Sequence, residues 1–149
     1  MSLDYRLTLS GGTSAEQLAE RALPGVRLEP SQTGSARAIN LVETNGFGLS
    51  VRTGRNGFID VVSDSGSFEW EPDPYAAVRF TVDKSADPVW VATNMITIVR
   101  RVLESGSEEA ALVANSDVLL LTRLDGKLVK HHQATWWAHY PAADGLIPG

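Results

Sequence analysis

The stretch DPVWVATNMITIVRRVLESG, residues 87–106, predicts the longest helix of the chain. Asp87 is a favoured N-cap residue, and Pro88 stands at the first helical position, where its missing N–H costs no hydrogen bond. Gly106 suits the position that ends a helix. We also interpret Trp90 as a core residue. Six apolar residues recur at the spacing of one buried helix face: Ala92, Met95, Ile96, Val99, Val102 and Leu103.

Segments with the two-residue period of half-buried strands lie on both sides of this helix. Before it, Val78, Phe80 and Val82 alternate with polar residues. After it, an apolar run suited to a central strand leads into Asp125-Gly126, a dipeptide that favours a tight hairpin turn. The predicted strands of these regions are residues 3–9, 78–82, 110–114, 118–124 and 128–132.

A second amphipathic helix follows the first strand. We predict that Thr13 caps its N-terminus and that Glu16, three residues later, completes a capping box. Leu18 and Ala22 belong to an apolar stripe at helical spacing, and Pro24-Gly25 ends the helix.

The middle of the chain is rich in turn residues. Asn45-Gly46 predicts a tight hairpin between strands at residues 36–43 and 47–53. Residues 30–35 are predicted to form a loop. The two prolines within residues 69–74 exclude a central strand there, because proline cannot donate to a sheet ladder.

Short turns between most of the strands imply antiparallel pairing. The order of elements predicts an α+β fold, with a mainly antiparallel sheet of about six to eight strands and two helices packed on one face. No linker or change of composition divides the chain, so we expect residues 1–149 to form a single domain.

The composition excludes several classes of site and partner. The chain has 149 residues and no cysteine, which removes disulfides, thiolate zinc ligands and thiol nucleophiles. Its net charge of −5 disfavours nucleic-acid binding, which depends on phosphate contacts from Lys and Arg. We find neither a secretory signal nor a run of apolar residues that would span a membrane. We therefore expect a cytoplasmic protein without a membrane partner.

No catalytic constellation is recognisable in the sequence. His131 and His132 are adjacent on a predicted strand, so their side chains point to opposite faces and do not share one metal ion. A metal site would need one of them together with His139 and a distant carboxylate. Neither the G-x-S-x-G elbow nor the phosphate-binding loop G-x-x-x-x-G-K-[ST] occurs. We expect no enzymatic activity, metal or cofactor.

Three acidic residues are candidates for a binding surface. Glu69 and Glu71 flank Trp70, and Asp73 follows, so that all three carboxylates line one side of an extended segment. Such a ridge fits an exposed surface that meets a protein partner. The alternative is a carboxylate pair beside an aromatic platform, as in glycoside hydrolysis.

Trp136 and Trp137 are an unusual pair in a segment without a clear period. One interpretation makes them anchors at a protein interface, where tryptophan is enriched. In the other, one of them packs the tail onto the sheet and its neighbour is partly exposed. We retain both as candidate partner-binding residues.

Several segments resemble the Sit immunity proteins. These segments are LDYRLTL (3–9), VRFTVDK (78–84), MITIVRRVL (95–103), AALV (110–113) and VLLLTR (118–123). The resemblance implies a protein that protects a bacterial cell from a polymorphic toxin delivered by its siblings. It also implies a non-enzymatic protein that binds the cognate toxin domain in the cytoplasm without a cofactor. Thr93-Asn94 depart from the acids expected before the methionine of the helix.

Two other functions stay open at this point. A pocket between the sheet and the helices, with His131 or His132, Arg123 and Arg79, would make the protein a small-molecule binder or an unrecognised enzyme. An edge strand at residues 128–132 would pair across a two-fold axis and give a homodimer.

Overall fold

The computed structural model describes residues 3–30 and 36–148, so the loop predicted at 30–35 lies outside the described residues except for Pro30. The strands are β1 (Leu3–Ser10), β2 (Glu29–Pro30), β3 (Arg37–Leu41), β4 (Phe47–Gly54), β5 (Ile59–Ser63), β6 (Gly66–Trp70), β7 (Tyr75–Val82), β8 (Ala110–Ala114), β9 (Val118–Leu124) and β10 (Lys127–Lys130). The helices are α1 (Ala15–Ala22), α2 (Val42–Asn45), α3 (Pro88–Glu104) and α4 (Pro141–Asp144), with a 3₁₀ helix at Trp137–His139.

The strands of the described residues form one sheet, which is mostly antiparallel. Its order is β2-β3-β4-β7-β1-β8-β9-β5-β6, and β10 also pairs with β9. The α+β class is confirmed, whereas the prediction of six to eight strands and two helices is wrong. The sheet has ten strands, and the two additional helices, α2 and α4, have four residues each. The sequence missed β6 because glycine and serine begin it and prolines follow it.

Alternate residues of the central strand β1 enter the main core. Tyr5, Leu7 and Leu9 are 3%, 1% and 1% exposed, and they share one cluster with the buried residues of α1 and α3. Leu7 lies opposite Val78 on β7 and opposite Leu112 on β8, both fully buried. The two-residue period that predicted β1 and β7 is therefore the period with which their residues enter the main core.

Helix α3 forms as predicted, and Asp87 is its N-cap in an extended conformation. All six residues of the predicted apolar face are buried. The assignment of Trp90 to the core is wrong, because its side chain is 40% exposed, whereas Val91 is 2% exposed. Position 91 lies four residues before Met95 and shares its face of the helix, while position 90 is rotated away from it.

Helix α1 begins one residue later than predicted. Ser14 is the N-cap: its Oγ accepts from the Gln17 N–H at 3.1 Å, and the Gln17 Oε1 accepts from the Ser14 N–H at 3.0 Å. Thr13 instead donates its hydroxyl to Glu108, 95 positions away, at 2.9 Å. Two overlapping capping boxes fit the sequence, and this long-range contact occupies the threonine of one of them.

Glu108 is the centre of an ion-pair network that joins α1 to the end of α3. Arg21 donates to both oxygens of the Glu108 carboxylate and to the carbonyl of Val102. Arg123 donates to the backbone carbonyl of Glu108 at 2.8 Å. The hydrogen bonds from Arg21 lower the pKa of Glu108 to about 2, against the opposing effect of burial. The carboxylate is therefore charged at neutral and mildly acidic pH.

Of the two predicted hairpin turns, the one at Asp125-Gly126 forms and the one at Asn45-Gly46 is replaced by a short helix. Strands β3 and β4 pair in antiparallel register as expected, but the short helix α2 joins them instead of a two-residue turn. Gly46 ends α2 with a φ of +91°, and a Cβ at this position would lie 2.5 Å from Cγ2 of Val91. The tight turn between β9 and β10 is confirmed, since Asp125 and Gly126 both have positive φ angles, of 52° and 74°.

The β5–β6 hairpin packs on the side of the sheet that faces away from the main core. On β8, Leu112 belongs to the main cluster, whereas Ala111 and Val113 belong to a second, smaller cluster. Alternate residues of a strand point to opposite faces, so this second cluster lies on the opposite face of β8. Val61 of β5 and Leu119 of β9 complete it, with partly buried side chains from both strands of the hairpin.

Candidate functional site

The β5–β6 hairpin turns an apolar side toward the sheet and an acidic side outward. Val61 is 5% exposed, and Phe68 and Trp70 pack against the same cluster. Asp60 and Glu69 project from the other side of the hairpin, and both are exposed. The two acids are direct cross-strand partners in the antiparallel register. The register therefore brings two negative charges face to face.

We call Asp60, Glu69 and Glu71 the acidic face. Glu71 follows the end of β6 and is also exposed. In the described part of the chain, none of the three takes part in an ion pair. Like charges directly opposite each other destabilise a sheet. The facing carboxylates of Asp60 and Glu69 thus lower the stability of the hairpin, and neither forms an ion pair with a described residue.

Two large apolar side chains accompany the acidic face. Phe58, just before β5, is 59% exposed, and Val62 is 57% exposed. Val62 stands two residues after Asp60 on the same strand, so the two side chains share one side of the hairpin. Protein interfaces combine an apolar centre with a polar rim, and this surface offers both elements.

Asp73 lies in a different environment from Glu69 and Glu71. Its Oδ1 accepts hydrogen bonds from Arg55 Nε at 2.7 Å and from the Asn56 N–H at 3.0 Å. The hydrogen bond from Arg55 lowers the pKa of Asp73. The sequence predicted that the three acids form one ridge. In the structure Asp73 pairs with Arg55 and binds the segment that connects β4 and β5.

Asp60 is not among the acids that the sequence pattern predicted for this surface. The register of a hairpin over residues 59–70 would have identified it as the partner of Glu69. Asp60 and Glu69 are equally distant from the turn residues Asp64 and Ser65, so such a hairpin pairs them directly. That hairpin was not predicted, because residues 63–67 have the composition of a polar loop.

Trp136 and Trp137 join the C-terminal segment to the sheet. Trp137 is 1% exposed, and its indole N–H donates to the carbonyl of Leu120 at 2.9 Å. Trp136 is partly buried and donates to the hydroxyl of Tyr5 at 3.3 Å. The structure agrees with the interpretation in which one tryptophan packs and the other is partly exposed. Trp137 offers almost no surface to a partner.

The residues of the predicted small-molecule pocket do not line one cavity. Arg123 lines a pocket of about 430 Å³ between α3, β10 and the C-terminal segment. Arg79 pairs instead with Asp4, at 2.7 Å. His131 and His132 lie just beyond the end of β10, and burial lowers the pKa of His131. This pocket therefore lacks the convergent polar groups that the hypothesis required.

The described residues contain neither a cluster of metal-ligating side chains nor a helix that could cross a membrane. No group of three or more His, Asp or Glu side chains in these ranges is arranged to hold a metal ion. No helix in residues 3–30 or 36–148 is long and apolar enough to cross a membrane.

Comparison with known proteins identifies one family. A family model described as SitI3-like matches residues 3–141. The matched range contains every strand, both long helices and the acidic face. No curated protein and no solved structure matches the chain.

Proposed function

The chain belongs to the SitI3-like family, and we propose that it is an immunity-type protein that binds and neutralises a cognate toxin domain. The protein acts as a non-enzymatic binder in the bacterial cytoplasm and blocks its partner by occupying a functional surface. The family match over residues 3–141 is the observation that carries this proposal.

We assign the binding surface to the acidic face with Phe58 and Val62. Asp60 and Glu69 destabilise the hairpin as a like-charged pair, and a basic partner surface would remove that cost on binding. The exposed Phe58 and Val62 supply apolar area for the centre of such an interface. The expected partner is therefore a basic domain, as in an effector that acts on nucleic acid.

The first experiment is affinity capture from the lysate and secreted fraction of the native bacterium. The bait is the wild-type protein or the variant Asp60→Asn/Glu69→Gln/Glu71→Gln. The matched control, Glu20→Gln/Glu43→Gln/Asp125→Asn, removes the same charge from exposed acids elsewhere on the molecule. We expect the wild type and the control to retain one basic protein that the acidic-face variant loses.

A protection assay then tests neutralisation. The captured protein is expressed in a susceptible host together with each bait, and growth is measured. Rescue by the wild type and the control, but not by the acidic-face variant, supports both the function and the surface. Equal rescue by all three baits overturns the surface, and absence of rescue by the wild type overturns the immunity function.

Asp73 and Trp136 are tested separately as predicted partner-binding residues. Asp73 is already paired with Arg55, and Trp136 contacts Tyr5, so each substitution also perturbs an internal contact. Asp73→Asn and Trp136→Phe are compared with the wild type for capture and for the free energy of unfolding. Loss of capture at unchanged stability would place the residue in the interface.

A homodimer is a second arrangement that the sheet allows, because β10 pairs with β9 as its only strand partner in the described residues. Light scattering, which measures the mass in solution, distinguishes a monomer from a homodimer. A mass near 16.1 kDa indicates a monomer, and twice that mass supports pairing of the β10 edges.

A further inference from the structure

A second exposed apolar surface lies at the start of α3. Five large apolar side chains are exposed in the described residues, and four of them form two pairs: Phe58 with Val62, and Val89 with Trp90. Val89 is 46% exposed and Trp90 is 40% exposed. Helix α3 packs on the main core, whereas the hairpin packs on the opposite face of the sheet. The two pairs therefore belong to separate surfaces.

Three segments of the chain meet at Gly46, beside the ring of Trp90. A Cβ on this glycine would lie 3.2 Å from Cζ3 of Trp90 and 3.4 Å from Cβ of Ala86. The carbonyl of Gly46 accepts from the Asp83 N–H at 2.9 Å. The end of α2 and the turn at residues 83–87 therefore border the tryptophan.

The segments that border Trp90 carry more acids than bases. They contribute Glu43, Asp83 and Asp87, against the single basic residue Lys84. In the described part of the chain, none of the three acids forms an ion pair. We define the Trp90 patch as the two exposed apolar residues of α3 together with these three acids. Its charge suits a basic partner and disfavours nucleic acid or an anionic membrane.

The ring of Trp90 is open to a cation from outside the chain. At Trp137 the protein already places a cation against an indole, since Nζ of Lys130 lies 4.8 Å from the ring centroid. No Lys or Arg of the described residues lies over Trp90 in the same way. Tryptophan attracts cations more strongly than the other aromatic side chains, and it is enriched among the residues that dominate protein interfaces.

We infer that the Trp90 patch binds an arginine side chain from a basic segment of a partner protein. The guanidinium stacks on the ring of Trp90 and donates to a carboxylate of the patch, and Val89 contacts a neighbouring apolar side chain. Arginine fits better than lysine, because its planar group both stacks and donates in parallel to a carboxylate. This inference goes beyond the immunity function and does not rest on it, since the patch and the acidic face lie on opposite sides of the sheet.

The test is two-dimensional NMR of the full chain, titrated with short peptides. The probe is the acetylated and amidated tripeptide Arg-Leu-Arg, and its counterparts contain lysine or the neutral isostere citrulline in place of arginine. We expect saturable shifts of the Trp90 indole N–H and of the Val89 amide at roughly millimolar concentration. The lysine peptide should bind about twofold more weakly and the citrulline peptide about tenfold more weakly.

Variants connect the binding to the Trp90 patch. Trp90→Leu, which keeps an apolar side chain, should weaken binding about fivefold, and Glu43→Gln/Asp87→Asn about threefold. Asp87 caps α3 without a side-chain hydrogen bond, and asparagine is an equally good cap, so this variant should fold. The matched control, Asp60→Asn/Glu69→Gln, removes the same charge from the acidic face and should leave the shifts at the patch unchanged.

Three results would overturn the inference. The first is equal affinity for the arginine and citrulline peptides, which requires no variant to fold. The second is a set of shifts confined to other surfaces, or unchanged affinity in the folded patch variants. The third is a change of the Trp90 and Val89 signals when the protein alone is diluted, which would show that a second copy of the chain covers the patch.

Discussion

Glu108 and Glu69 occupy opposite electrostatic situations in the same molecule. Glu108 receives hydrogen bonds from Arg21 and Thr13, and its pKa falls to about 2. Glu69 faces another carboxylate, Asp60, and has no cation among the described residues. The first carboxylate is placed where it joins elements of the fold, and the second where it lowers the stability of a hairpin.

The difference separates charges that build the fold from charges that are available to a partner. Charged hydrogen bonds that are partly shielded from water contribute to stability, whereas exposed like-charged pairs reduce it. Selection for stability alone does not explain Asp60 beside Glu69. The four predictions that follow test this division, beginning with the largest expected effect.

Asp144→Ala should have the largest effect on stability. The ammonium group of Lys130 has a side-chain exposure of 3% and bonds to the Asp144 carboxylate at 2.7 Å and to its carbonyl at 2.9 Å. Removing the carboxylate leaves the buried ammonium with one neutral hydrogen-bond acceptor and the ring of Trp137, 4.8 Å away, which should cost about 3 kcal/mol. Urea denaturation measures this loss.

The control for this prediction is Glu104→Gln, which removes an exposed ion pair with Arg100 on α3. Exposed pairs of this kind contribute less than about 0.5 kcal/mol. If the two variants lose similar stability, the distinction between paired buried charges and surface charges fails at this site.

Glu108→Gln should destabilise the protein by about 2 kcal/mol without changing partner capture. The amide keeps the size of the side chain but loses the charged acceptor of Arg21 and Thr13. Thermal or urea unfolding measures the first effect, and the capture assay measures the second. Loss of capture in a folded Glu108→Gln protein would show that this network also faces the partner.

The pH dependence of unfolding should reveal the same network. The folded pKa of Glu108 is about 2, below its ordinary value of 4.5, so its stabilisation is complete above pH 4.5 and is lost as the pH falls toward 2. Between these values the wild type should lose stability more steeply than Glu108→Gln. Parallel pH profiles for the two proteins would contradict the assignment.

Asp60→Asn should change the free energy of unfolding least, and it should stabilise the protein where the other substitutions destabilise it. Removing one of two facing negative charges should raise the free energy of unfolding by about 0.3 kcal/mol, with a smaller gain at high salt. The double variant Asp60→Asn/Glu69→Gln should add little, because the repulsion is already relieved. A destabilised Asp60→Asn protein would mean that the carboxylate has a structural role.

The sequence predicted those helices, strands and turns that are specified by a residue pattern within the segment itself. The apolar face of α3 and the alternation in β1 are repeats within one segment, and the residues that enter the main core follow them. The turn at Asp125-Gly126 depends on two adjacent residues that tolerate positive φ. The candidate site was only partly predictable: Glu69 and Glu71 were identified as exposed acids, whereas Asp60 was not.

What the sequence by itself determined was the α+β class, the long helix and the central strands, because local periodicity sets which side of an element is apolar. The tertiary structure alone decided which residue caps α1, since Thr13 bonds to a carboxylate 95 positions away. It likewise decided that Trp137 is buried and that Asp60 meets Glu69. These choices depend on partners brought together by folding, and no local pattern records which distant group will occupy a given donor or acceptor.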